Sequence, residues 1–195
     1  LEDKTRYMTW EEIADLDARG FEVGNHTRAH KNVNEQTPDE LRADIDHIDA
    51  RCRAYGIAHT TTFCYPGYRN GLIAVEVLRD RGFAFARRGT DPEFAYSGEG
   101  GRGPAYDPTC HNPLLVPTTG AAGPAYSLDD LKWSVNQATD GQVCVLTYHG
   151  VPDLDHAWVH VDPDEFTTHM RYLQENACTV IALRDLARYV PSACL

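Results

Sequence analysis

Apolar positions recur along this chain in two rhythms, one near 3.6 residues and one in short continuous runs. In MTWEEIADLDARG (8–20), Trp10, Ile13, Leu16 and Asp17 fall at helical spacing. Thr9 with Glu12 three residues on makes a capping box, and Gly20 is a stop. TPDELRADIDHIDARCRAYG (37–56) predicts a second helix, capped by Thr37, opened by Pro38 and ended by Gly56. Its apolar stripe is Leu41, Ile45, Ile48 and Cys52. Further helices are predicted over 70–82, with Val75 and Leu78 inward, over 127–141, capped by Ser127 with Asp130, and over 163–177. Short apolar runs predict strands in FEVGNH (21–26), TTFCYP (61–66), FAFARRG (83–89), QVCVLTYHG (142–150) and CTVIAL (178–183), with a short helix, RDLARYV, after the last.

Strand and helix therefore alternate, which argues an α/β fold with a parallel sheet, open or closed into a barrel. Residues 89–126 interrupt the pattern with a Gly- and Pro-rich, loop-like stretch in which LLVP reads as a short strand. No repeat, low-complexity tract or linker divides the chain, so a single domain over 1–195 is expected.

Composition narrows the class. With 42% hydrophobic and 24% charged residues the chain is globular rather than disordered. A net charge of −11 argues against nucleic acid as a partner, because phosphate binding calls for a basic surface. No run of eighteen apolar residues offers a membrane span, and the polar LEDKTRYMTW is not a signal peptide. Six cysteines are spread without a CxxC pair, which favours free thiols, with Cys144 a small buried hydrophobe.

Chemistry gathers where predicted strands end, as catalytic groups do in such folds. His26 and His30 follow FEV, the YPGY turn follows TTFC, and His149 follows VLTY. Imidazole is the commonest protein ligand for zinc. Four-residue spacing lets His26 and His30 share one helix face or converge from a turn, although two exposed loop histidines have the same spacing. P-loop, GxGxxG and GxSxG patterns are absent.

EVGNHTRAH, then FCYPG, then VLTYHG, in this order and at these intervals, resemble the polysaccharide deacetylase domain (NodB homology, carbohydrate esterase family 4). His26, Thr27 and His30 match its H-[ST]-x-x-H motif, WEEIADLDARGFEVGNH matches its lead-in, and residues 165–190 are similar to its closing unit. The resemblance implies a distorted (β/α) barrel and a divalent metal, Zn2+ or another transition ion, held by His26, His30 and one aspartate. It implies hydrolysis of the N-acetyl amide of sugars, with a second aspartate as base, His149 as the acid that protonates the leaving amine, and Thr27 supporting the ligand loop. It also favours an extracytoplasmic location.

Two departures accompany the likeness. No TFDD-like stretch occurs, so the third ligand, an Asp, and the base are absent, and the domain is expected to be N-terminally incomplete, lacking its first strands. Asp44 and Asp46 do not replace them, since they fall on the exposed side of a predicted helix. Where many members carry Arg, this chain has Cys64. Tyr65, Pro66, Gly67 and Tyr68 fit a turn near the substrate oxygen, with the Gly67 or Tyr68 N–H as an oxyanion donor, or a plain structural turn. Arg87 and Arg88 fit base-orienting or substrate-binding roles, or surface positions. Trp158 fits a sugar-stacking ring or a packing group, and His149 a satisfied core histidine as well as an acid. The remaining classes are a hydrolase of small cyclic or linear amides and a non-catalytic carbohydrate-binding module.

Overall fold

A computed structural model describes residues 7–95 and 101–190. The chain divides into two compact units, one formed by Leu1–Arg88, Asn112–Val116 and Ile181–Leu195, the other by Gly89–His111 and Pro117–Val180.

In the first unit, α1 (Trp10–Ala18) starts at a complete capping box: Thr9 Oγ1 accepts from Glu12 N, and Glu12 Oε2 accepts from Thr9 N at 2.7 Å. Helix α2 (Pro38–Ala54) begins on a second such box, formed by Thr37 and Glu40. It buries Leu41, Ile45, Asp49 and Cys52. Leu41 and Ile45 are fully enclosed, each contributing about 1.5–3 kcal/mol of apolar burial. The stripe differs from the expected one at a single step, where Asp49 turns inward and Ile48 is only half-buried.

Strands β1 (Thr62–Cys64) and β2 (Phe85–Arg87) pair in parallel, Phe63 opposite Ala86, with α3 (Leu72–Asp80) as the crossover. The expected strand at 21–26 contracts to one parallel bridge, Asn25 beside Phe63, and on the other edge Val116 bridges Arg87. Gly24 permits the first contact: a Cβ there would lie 3.0 Å from Thr62 Oγ1. Phe63, Tyr65, Val77, Leu78, Phe83 and Leu114 belong to the core of this unit. The segment CTVIAL, expected as a strand, pairs with no strand among the described residues, and Val180 is 74% exposed. Its continuation, Leu183–Arg188, is a 3-10 turn whose Arg184 N donates to Glu22 Oε2.

The second unit pairs β3 (Gly120–Ala121) in parallel with β4 (Leu146–Thr147), flanked by α4 (Leu128–Val135) and α5 (Pro163–Glu175). Only two residues of QVCVLTYHG are strand. LLVP is a 3-10 turn over Pro113–Leu115 running into the Val116 bridge. Leu131, Tyr126, Val161 and Leu173 form the core here. Both sheets are two-stranded and neither closes, so the barrel is not seen among the described residues. No helix among them is long and apolar enough to cross a membrane. Cys52, Cys64, Cys110, Cys144 and Cys178 are free thiols, as expected; Cys194 and residues 96–100 of the Gly-rich stretch lie outside the described residues.

Candidate functional site

The HTRAH stretch is a tight turn rather than a helix. Thr27 and His30 both take left-handed backbone, at φ 63° and 51°. Asn25, fully buried, anchors it. Its N–H donates to Thr62 O and its carbonyl accepts from Cys64 N, each at 2.9 Å. Its side-chain amide donates to Ile45 O at 3.2 Å and Asp49 Oδ1 at 3.4 Å, while its Oδ1 accepts from Thr27 N at 3.0 Å. Thr60 Oγ1 donates to the same Asp49 oxygen at 2.6 Å. Thr27 Oγ1 then accepts from His30 N at 3.1 Å. The turn is thus fastened to β1 and α2 through one buried amide.

This fastening decides what the imidazoles can do. His26 Nδ1 lies 2.7 Å from Cys64 O. A carbonyl only accepts, so Nδ1 carries the hydrogen and Nε2 presents its lone pair. Burial lowers the His26 pKa, the Cys64 carbonyl opposes that, and Arg87 lowers it further. The net effect favours the neutral ring, the form that binds metal. The His26 and His30 rings meet edge to face with centroids 4.8 Å apart. A paired Nδ1–H, a neutral ring and a neighbouring imidazole fit two ligands of a divalent transition ion.

The turn after β1 is less uniform. Tyr65 is fully buried and its hydroxyl donates to Leu114 O at 2.9 Å, so its side chain is a packing group and does not face a ligand. Burial pushes its phenol far up. Pro66 is also buried. Gly67 has left-handed backbone, φ 56°, which suits glycine. Of the two proposed oxyanion donors, Tyr68 N is committed to Tyr65 O at 3.0 Å, whereas Gly67 N–H donates no hydrogen bond among the described residues. Arg87, at the end of β2, holds its guanidinium 5.0 Å from the Tyr68 ring centroid and donates to Cys64 Sγ. Arg88 is buried and donates to Leu115 O at 3.1 Å, a structural role. Asp46 is exposed and pairs with Arg81, whereas Asp44 is half-buried, with Oδ2 enclosed, rather than exposed.

His149 belongs to the second unit, just past β4. Its Nδ1 lies 2.5 Å from Asp153 Oδ2. Asp153 Oδ1 accepts from Asp155 N, His156 N and, at 3.1 Å, His156 Nδ1. Desolvation raises the Asp153 pKa, and these hydrogen bonds, led by His149, outweigh it and hold the carboxyl at about 2. Gly150 makes room: a Cβ there would be 2.8 Å from Asp153 Oδ2. Trp158 is 68% exposed, in a 3-10 turn over Ala157–Val159, with its ring edge to face on His156 at 5.2 Å.

The charge-bearing partner that sequence reasoning passed over is Asp153, four residues after His149 and three before His156. That interval was its only signal. Asn25 and Asp49 were also passed over, since a buried amide and a buried carboxylate leave no periodic trace.

On an α/β frame, a turn beside a parallel sheet thus presents two imidazoles side by side. The family described as polysaccharide deacetylase matches residues 3–86, the part that carries α1, the HTRAH turn, α2, β1 and α3. A crystal structure from Mycobacterium smegmatis, provisionally described as a polysaccharide deacetylase, shares the fold with a TM-score of 0.65 at 16% identity, over 95% of this chain and 68% of the other. The Streptococcus pyogenes deacetylase PplD in complex with acetate overlaps in part, with a TM-score of 0.42, 14% identity, and 58% and 45% of the two chains covered. No curated protein gives a significant match. The family match spans less than half of the chain, and at 16% identity the structural likeness is one of fold.

Proposed function

We propose that this chain carries out metal-dependent hydrolysis of the N-acetyl amide of acetylated sugars or polysaccharides. The single observation behind this reading is the His26 Nδ1–H bond to Cys64 O, which turns the Nε2 lone pair outward beside His30. His26 and His30 would hold a divalent transition ion, zinc by its donor chemistry. When bound, such an ion polarises an acetyl carbonyl and lowers the pKa of water.

The remaining roles fall to this chain's own groups. Gly67 N–H is the one turn donor left for an oxyanion. His149 serves as the acid toward the departing amine, its ring held by Asp153. The exposed Trp158 ring suits an apolar sugar face. Arg87 steadies the turn by stacking on Tyr68 and reaching Cys64. The third ligand and the base stay unassigned, because no stretch of these 195 residues matches the first family motif. An extracytoplasmic site of action goes with a polymeric sugar substrate.

The test is acetate release from chitin oligomers, peptidoglycan, acetylated xylan and small amides, with zinc content measured alongside. Release from an N-acetylated sugar, lost together with one zinc equivalent in His26→Ala, is expected. Release confined to small amides, or zinc retained in full by that variant, overturns the reading.

A further inference from the structure

The loop between β4 and α5 contains a ligand set that the deacetylase reading uses only in part. One side-chain ligand atom each from His149, Asp153 and His156 lies within 4.8 Å of the other two, and no other trio of His, Cys, Asp or Glu among the described residues meets that spacing. The two rings lie edge to face, centroids 5.1 Å apart, and each meets a different oxygen of one carboxylate, His149 Nδ1 at 2.5 Å from Oδ2 and His156 Nδ1 at 3.1 Å from Oδ1. Ligand atoms around a tetrahedral zinc stand about 3.3–3.5 Å apart, given bonds of about 2.0–2.2 Å. The His156 side is near that spacing already, and the His149 side needs roughly an ångström of ring movement.

The surroundings are built for a fixed carboxylate with an open face. The Asp153 side chain is 8% exposed, while the His149 and His156 side chains are 48% and 42% exposed. Backbone N–H groups of Asp155 and His156 hold Oδ1 from behind, and His160 Nδ1 meets the Asp153 backbone. Gly150 pairs with His160 in a parallel bridge that closes the loop. Two imidazoles and a carboxylate are a donor set for zinc and its borderline neighbours rather than for calcium or magnesium, which take all-oxygen shells.

We propose that His149, Asp153 and His156 form a second transition-metal site, separate from His26 and His30, and that zinc bound there inhibits the enzyme. The inhibitory part rests on the reading of His149 as the acid. Zinc takes Nδ1 of His149 in place of its proton, which goes to solvent. The hydrogen left on Nε2 then belongs to a neutral, metal-bound imidazole, and such a ring does not yield it to an amine near neutrality.

Chelator-stripped protein dialysed against zinc chloride decides the matter. The His26→Ala/His30→Ala double variant is expected to retain one zinc, and His156→Gln and Asp153→Ala are each expected to lose one equivalent relative to the parent. Circular dichroism checks that each variant is folded. His156, half-exposed, carries the test if Asp153→Ala unfolds the loop. Acetate release is expected to fall when zinc exceeds one equivalent in the parent, and to stay flat in His156→Gln relative to its own rate at one equivalent. A double variant that binds no zinc overturns the site. Equal inhibition of parent and His156→Gln overturns the regulation. If no acetylated sugar is hydrolysed at all, the proposed activity fails while the stoichiometry still decides the site.

Discussion

His26 Nδ1 and the carbonyl oxygen of Cys64 lie 2.7 Å apart, across 38 residues of sequence. Parallel bridging of Asn25 with Phe63 sets that distance, because it places residue 26 alongside residue 64. The bond fixes the tautomer, and the tautomer fixes which nitrogen is offered to a ligand. Cys64 contributes through its backbone, so this hydrogen bond does not depend on its side chain.

Asn25→Ala should loosen the site and the fold together. The substitution removes three hydrogen bonds made by the amide and leaves the buried Asp49 with fewer donors. Buried networks of this kind cost about 2–3 kcal/mol when one member is removed. Urea unfolding followed by circular dichroism should report that loss, and zinc affinity should fall with it. Full zinc affinity would show that the turn holds its shape without the amide.

The Thr27 side chain carries a second prediction. A β-branched residue at φ 63° is strained, and its hydroxyl accepts from His30 N. Thr27→Ser retains that hydroxyl and removes the branch, so zinc affinity should stay within about twofold. Thr27→Val retains the branch and loses the acceptor, so affinity should fall by about tenfold, the equivalent of one hydrogen bond. Equilibrium dialysis of both variants separates the two contributions. Equal affinities would remove the hydroxyl from the argument.

His169 predicts an acid limb in stability. It is fully buried, with Nδ1 3.0 Å from the Tyr148 hydroxyl and Nε2 enclosed without a hydrogen-bond partner among the described residues. Burial lowers its pKa from 6.5, with Glu165 opposing. The unfolded chain therefore takes up a proton as pH falls through that ordinary value, while the folded chain resists. Stability is full above about 6.5 and declines below it. In chelated buffer the urea midpoint should drop between pH 7.5 and 5, less steeply for His169→Gln. His26 acts in the same direction, so the variant flattens the slope in part. A slope unchanged by the substitution would exclude His169 as a contributor.

The helices were legible because their signals are local. Capping pairs at Thr9 and Glu12, Thr37 and Glu40, and Ser127 and Asp130 all close as the spacing indicates. Strands were less so, since a strand exists only through its partner. CTVIAL has the composition and no partner among the described residues, while Gly120 and Ala121 have a partner, Leu146 and Thr147, and no composition. The same reasoning applies to the site. The interval between His26 and His30 was visible, but turn or helix was decided by left-handed backbone at Thr27 and His30. Asp153 reaches His149 through a loop closed by Gly150 and His160, a pairing that no periodicity marks.

Asp153→Asn tests whether the carboxylate positions His149 during turnover. The carboxylate accepts from Nδ1, so it holds the ring with Nε2 turned away. An amide in its place can donate to Nδ1 instead, which favours the other tautomer and moves the hydrogen. If His149 delivers a proton to the leaving amine, kcat should fall about a hundredfold, with KM changed by less than about twofold, because the interaction matters after binding. Steady-state acetate release from an N-acetylated oligomer gives both constants. A rise in KM at constant kcat would instead assign Asp153 to shaping the loop that carries Trp158.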